Sequence, residues 1–172
     1  MPLTPGRGHE ALRRGRWSAP GAEYFLSLCT HDRRPGLTEP SVASAVLARA
    51  HQLTTEGHWH LRTATVMSDH LHLFVTLGEH HELSAAIRLF KGPLTPVLRN
   101  AGLRWQRACF DHRLRPAEDR LPVFLYIFLN PYRAGLITSA RIWPAYFCSD
   151  DDWSWFEPLT NASSPFPDWL TL

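Results

Sequence analysis

Lysine is nearly missing from this chain: of 18 basic residues, Lys91 alone is a lysine and the rest are arginines. A guanidinium fork grips phosphate through two parallel bonds where an ammonium acts as a point charge, so this usage suits a nucleic-acid partner, although GC-rich coding leaves the same mark. Cysteine is scarce too. Cys29, Cys109 and Cys148 lie far apart and are odd in number, which excludes a disulfide framework and a CxxC zinc knuckle and predicts a reducing, cytoplasmic setting. No run approaches the roughly 18 apolar residues that cross a bilayer, so no membrane association is expected. Met1 to Ala19 lacks an apolar core, so no secretory signal is expected either. Disorder is excluded by 44% hydrophobic and 20% charged residues. A length of 172 residues suits one domain, long enough to bury about two-thirds of its unfolded surface without a structural metal.

The net charge of +2 hides a strong asymmetry. Arg88, Lys91, Arg99, Arg104, Arg107, Arg113 and Arg115 crowd one stretch against Glu82 and Asp111. From Asp150 onward the chain carries acids and no base. That pattern predicts an anionic partner near the middle of the chain and a tail that avoids it. Three parts are expected: a loose basic arm over 1–20, a folded domain over 21–148 and an acidic, aromatic tail over 149–172. The tail is expected to pack as a strap anchored by Trp153, Trp155, Phe156, Phe166 and Trp169, without regular structure.

Within the domain, Tyr24 to Thr30 reads as a strand and His31 to Gly36 as a loop. Val42, Val46, Leu47, Ala50 and Leu53 recur at helical spacing and predict a helix over 41–56, stopped by Gly57. Trp59 to Val66 and His70 to Leu77 read as strands around a Met67-Ser68-Asp69 turn, too close for a crossover and therefore a hairpin. Leu83, Ala86, Ile87, Phe90 and Leu94 predict a helix over 82–99, kinked or broken at Gly92-Pro93. A short strand is expected within 108–114 and a helix over 116–129, ended or bent at Asn130-Pro131. The order β, α, β-β, α, β, α implies an α+β fold, an antiparallel sheet with helices packed on it, of ferredoxin-like type.

Two motifs carry chemistry. In a strand, His70 and His72 share one face while Leu71 takes the other, which makes half of a divalent-cation site. HxH also arises by chance in a chain with 10 histidines. His80-His81, in a loop, have no shared face and are expected to be exposed. In the helix that follows, Tyr126 and Asn130 are four apart and meet on one face; a buried core tyrosine with a capping asparagine would look the same.

Taken together, MSDHLHLFV resembles the HUH motif (histidine, hydrophobe, histidine), and YIFLNPYRAGL resembles the tyrosine helix of the REP-associated tyrosine transposases, a group of single-tyrosine HUH transposases. YFLSLCTHDRR resembles their first strand and WQRACFDHRLR the segment before their tyrosine helix, so the likeness runs from about Tyr24 to Pro144. It implies an HUH endonuclease fold and a metal-dependent enzyme that cuts and rejoins single-stranded DNA carrying hairpins of palindromic repeats. By motif position it implies Tyr126 as the nucleophile, with Tyr132 as its rival, and His70, His72 and Asn130 as ligands of Mg²⁺ or Mn²⁺. It also implies a 5′-phosphotyrosine intermediate, whose bond energy allows rejoining without ATP. A domesticated hairpin-binding protein without catalysis is the alternative. Asp111 and His112 either support the tyrosine or form a strand-end salt bridge with Arg113 or Arg115. Arg88, Lys91, Arg104, Arg107, Arg113, Arg115 and Arg133 are candidate phosphate contacts, with Trp105 a candidate stacking platform. A monomer is expected, with a dimer exchanging tyrosine helices as the alternative.

Overall fold

In the computed structural model, which describes residues 18–138 and 141–160, one antiparallel sheet of five strands runs in the order β4-β1-β3-β2-β5. Its strands are β1 (Glu23–Cys29), β2 (Trp59–Val66), β3 (His70–Leu77), β4 (Phe110–Arg113) and β5 (Tyr146–Cys148). Four helices accompany them: α1 (Pro40–Thr55), α2 (Leu83–Asn100), α3 (Leu121–Arg133) and α4 (Asp150–Phe156). Helices lie on both faces of the sheet, the mixed α+β fold expected from the order of elements. The basic arm lies almost wholly outside the described residues, as do Phe166 and Trp169 of the expected strap.

Alternation along the strands sorts the sheet into two cores. Tyr24, Leu26 and Leu28 of β1, with Leu71, Leu73 and Val75 of β3, pack against Val42, Val46 and Leu53 of α1 and against Ala86, Phe90 and Leu98 of α2. Phe25 and Phe74 point the other way, into a core with Phe124, Ile127 and Phe128 of α3 and Phe156 of α4. The β2–β3 hairpin closes as expected, with Met67 N donating to His70 O at 2.8 Å. Gly57, at φ +75°, ends α1 in the left-handed conformation that a helix stop favours.

Three expectations need correction. The helix α2 runs unbroken through Pro93 and Pro96. Pro93 offers no N–H to the Leu89 carbonyl one turn back, and Arg49 of α1 supplies the missing donors, from Nε at 3.1 Å and Nη2 at 2.8 Å. The tyrosine helix α3 begins at Leu121, five residues after the expected start. Pro122 takes the first turn, where no N–H is required, while Asp119 accepts from Leu121 N at 2.9 Å and Glu118 from Arg115 N at 2.7 Å. The helix then continues through Pro131 to Arg133. The described residues after Trp143, up to Thr160, are mostly regular structure rather than a strap. The edge strand β5 pairs with β2, and α4 opens with Ser149 as N-cap and three aspartates in its first turn, where they meet the positive end of the helix dipole.

Candidate active site

Register places His70 and His72 on the α3 face of the sheet, opposite Cys29 and Ser27 of β1. Their rings stand 4.6 Å apart, centroid to centroid. His72 is 4% exposed and lies against Phe25, with ring centroids 5.3 Å apart. The α3 helix crosses above and brings Tyr126 down onto this row: the two rings are 5.2 Å apart and Tyr126 Oη is 3.5 Å from His72 Nε2. One turn further along α3, the Asn130 side chain hydrogen-bonds the same phenol. The four residues picked out by spacing therefore converge in space.

Burial sets the electrostatics of the cluster. It drives His72 well below the ordinary imidazole value, helped by His70 and Arg33 nearby. It lowers His70 as well, against the opposing pull of Asp69, whose Oδ1 lies 2.6 Å from His70 Nδ1. Both rings are thus neutral near pH 7 and have lone pairs to offer. Tyr126 is 6% exposed, and burial raises its phenol above 10 while Asn130, Arg133 and Arg33 pull it back down. Among the described residues no three His, Cys, Asp or Glu side chains come together as a cation site, so a third ligand here would come from another residue type.

Tyr132 is excluded from the cluster, because its hydroxyl donates to the Arg141 carbonyl. Asp111 pairs with Leu26 and so follows it to the α1–α2 face, away from the histidines. His112 pairs with Phe25 and faces the site side, where its Nε2 lies 3.3 Å from Glu118 Oε2. His80 is exposed, but His81 is half-buried with Nδ1 3.2 Å from His58 Nδ1, a pairing the sequence did not suggest.

The arginine candidates divide into groups. Arg88, Lys91, Arg104, Trp105 and Arg107 line one groove of about 980 Å³ beside α2, joined by Arg34 and Arg99. Lys91 is partly committed there, donating to Gln106 O at 2.9 Å. Trp105 is half-buried and packs toward Phe90, with ring centroids 6.2 Å apart, so much of its surface is spent on the core. Arg113 and Arg115 line a second groove of about 850 Å³ beside Glu23 and Glu118. Arg133 is exposed at the end of α3.

Spacing missed two residues at the site. Asp69 reads as a turn former and instead holds a histidine ring. Arg33 reads as loop and lies with Nη1 3.6 Å from Asp69 Oδ2.

The profile of the family described as IS200-like transposase matches residues 19–112. No curated protein matches the chain. Among solved structures, a REP-associated tyrosine transposase bound to a REP hairpin is similar at 18% identity and TM-score 0.60, covering 91% of this chain and 97% of that one. A candidate transposase from Deinococcus radiodurans R1 is similar at 18% identity and TM-score 0.48, covering 73% of this chain and 98% of that one.

Proposed function

This chain belongs to the IS200-like transposase family, and from that premise we propose that it is a metal-dependent endonuclease and strand transferase acting on single-stranded DNA with hairpins of palindromic repeats. The carrying observation is the meeting of Tyr126 with His72 at 3.5 Å, across 54 residues of chain. Tyr126 Oη attacks the phosphorus of a phosphodiester. A bond forms between that oxygen and phosphorus, the bond to the 3′-oxygen breaks, and the 3′-oxygen departs with the electron pair. The phenol proton passes to water and the 3′-oxygen takes one back, leaving a free 3′-hydroxyl and a 5′-phosphotyrosine. Reversal by another 3′-hydroxyl rejoins strands, since the phosphodiester energy is kept in the covalent link.

A divalent cation fits the residues present. His70 has Nδ1 turned to Asp69, the arrangement that fixes a ligating imidazole. His72 has a buried Nδ1 with no hydrogen-bond partner among the described residues. His70, His72 and the Asn130 amide oxygen would hold the ion, and a nitrogen-oxygen set with phosphate oxygens suits Mg²⁺ or Mn²⁺. When bound, the ion supplies neutralisation of the phosphate charge and orientation for in-line attack. The protein side contributes a phenol held in reach and partly activated by Asn130, against the burial that opposes its ionisation.

The chemistry is assigned to residues 21–148, with α4 as support. Tyr126 meets His72 of its own chain, which favours a self-sufficient monomer. The similarity to a hairpin-bound REP-associated protein supports the substrate class, and the basic groove beside α2 supports phosphate contacts by Arg88, Lys91, Arg104 and Arg107, with Arg113, Arg115 and Arg133 around the rim. No described helix is long and apolar enough to cross a membrane. The buried phenol favours the second reading, a hairpin-binding protein without turnover. The two separate on a 3′-labelled oligonucleotide carrying the palindromes that flank its own gene. Wild-type protein with Mg²⁺ or Mn²⁺ should form a denaturation-resistant adduct, and Tyr126→Phe should form none while binding the DNA nearly as well. Binding without any adduct from the wild type would favour the second reading.

A further inference from the structure

Arg33 and its neighbour Asp32 are the non-glycine residues with positive φ among those described, at 53° and 56°. Left-handed backbone is unfavourable for side chains with a Cβ, and it persists where surrounding bonds force it. Here they do. Thr30 N donates to Asp69 O at 2.9 Å, and Gly36 N and Leu37 N donate to Ser68 O at 2.8 and 2.9 Å. The Thr30 hydroxyl donates to the Arg34 carbonyl at 2.7 Å. The loop after β1 is stitched onto the turn that begins the HxH strand, and the forced conformation lies between those stitches.

Resting on the nuclease reading above, we propose that this loop presents Arg33 to the DNA as the side chain that grips the phosphate to be cut. A stabilising role does not account for it: its contact to Asp69 is long, at 3.6 Å, and its side chain is 58% exposed, so the pair adds little to folding. Position does account for it. Asp69 uses Oδ1 for His70 and Oδ2 for Arg33, so one carboxylate holds the ring and the guanidinium side by side. A guanidinium donates to the two non-bridging oxygens of a phosphodiester, and those bonds strengthen as negative charge builds during attack. Asp69 is then a positioning residue for both groups.

The test pairs enzyme and substrate changes. In the Tyr126→Phe protein, binding is measured to the flanking-palindrome oligonucleotide with a neutral methylphosphonate replacing each phosphate of the single-stranded flank in turn. Arg33→Ala should weaken binding to the unmodified strand about 10-fold or more, the loss expected for charged hydrogen bonds, and Arg33→Lys should restore part of it. At one position the methylphosphonate should remove the same affinity, and the two changes together should cost no more than either alone. In the catalytic protein that position should be the nick, with adduct formation about 100-fold slower in Arg33→Ala. Additive losses at every position, or unchanged binding in Arg33→Ala, would overturn the proposal. Absence of any wild-type adduct would instead count against the nuclease reading, while the binding data would still decide whether Arg33 meets a phosphate.

Discussion

At the scale of single residues, the site rests on two imidazoles kept neutral by burial, and this has a pH consequence. An imidazole in the unfolded chain takes a proton near 6.5, whereas burial holds His70, and more strongly His72, below that value in the folded chain. As the pH falls past 6.5 the unfolded state binds more protons than the folded one, so the stability these rings contribute is complete above 6.5 and is lost progressively below it. Asp152 acts in a lower window. Although its burial works the other way, Arg62 and Ser149 hold its carboxyl below 3.8, so its contribution is lost only in stronger acid. Metal-free protein in chelator should therefore show a falling Tm from pH 7 to 5, and His72→Phe, which keeps a ring against Phe25, should flatten that slope. An equal slope in the variant would assign the acid sensitivity to other groups. The histidines, Tyr126 and Asn130 were legible because their spacings of two and four residues translate directly into shared faces of a strand and a helix. Asp69 and Arg33 were not, because their geometry depends on a loop folding back on a turn 36 residues later, as in the Arg33–Asp69 pair.

At the scale of elements, the prolines of α2 show why local rules reach only so far. Read alone, Gly92-Pro93 marks a break. What keeps the helix whole is Arg49, 40 residues away on a neighbouring helix, bonded to the Leu89 carbonyl that Pro93 leaves without a partner. The side chain of Arg49 is 10% exposed and also meets Glu56 at 3.5 Å, so its placement is well fixed. Arg49→Met should cost about 1 kcal/mol, the net worth of such a bond. Pro93→Ala restores an intrahelical donor, and in that background the same Arg49 change should cost measurably less. Denaturant melts of the single and double variants read this as a coupling energy, and strict additivity would show that Arg49 does not serve the carbonyl. The misplaced start of α3 has a similar cause. Pro116, Glu118 and Asp119 imitate a helix beginning, but Asp119 and Glu118 serve backbone groups of a turn, and the hydrophobic run starts later at Leu121. Strands β1, β2 and β3, by contrast, were legible almost to the residue, since short apolar runs bounded by turn residues mark them, whereas the three-residue edge strand β5 was missed.

At the scale of the whole molecule, the tyrosine helix is held from two sides, which a linear reading of an acidic tail could not reveal. One side of α3 meets the sheet through Phe74 and Tyr126; the other receives α4, with Phe156 fully buried against Phe124 and Phe128, at ring centroids 5.4 and 5.7 Å. The aspartates after Ser149, read as a repulsive tail, include one that is structural. Asp152, 1% exposed, accepts from Arg62 Nε at 2.7 Å, and Arg62 also reaches Glu23 at 3.1 Å, which in turn meets Arg120 at 2.8 Å just before α3. This chain of charges ties α4, β2, β1 and the start of α3 into one frame. The position of the Tyr126 phenol over His72 thus depends on packing more than a helix turn away from it. Phe156→Ala should cost about 3–5 kcal/mol, as expected when a buried phenyl leaves a cavity. Well below its lowered Tm it should also slow adduct formation while leaving DNA affinity nearly unchanged, because the grooves lined by arginine do not include it. If α4 instead restrained the enzyme by covering the phenol, loosening it would speed adduct formation, so the sign of the rate change at fixed temperature decides between support and restraint.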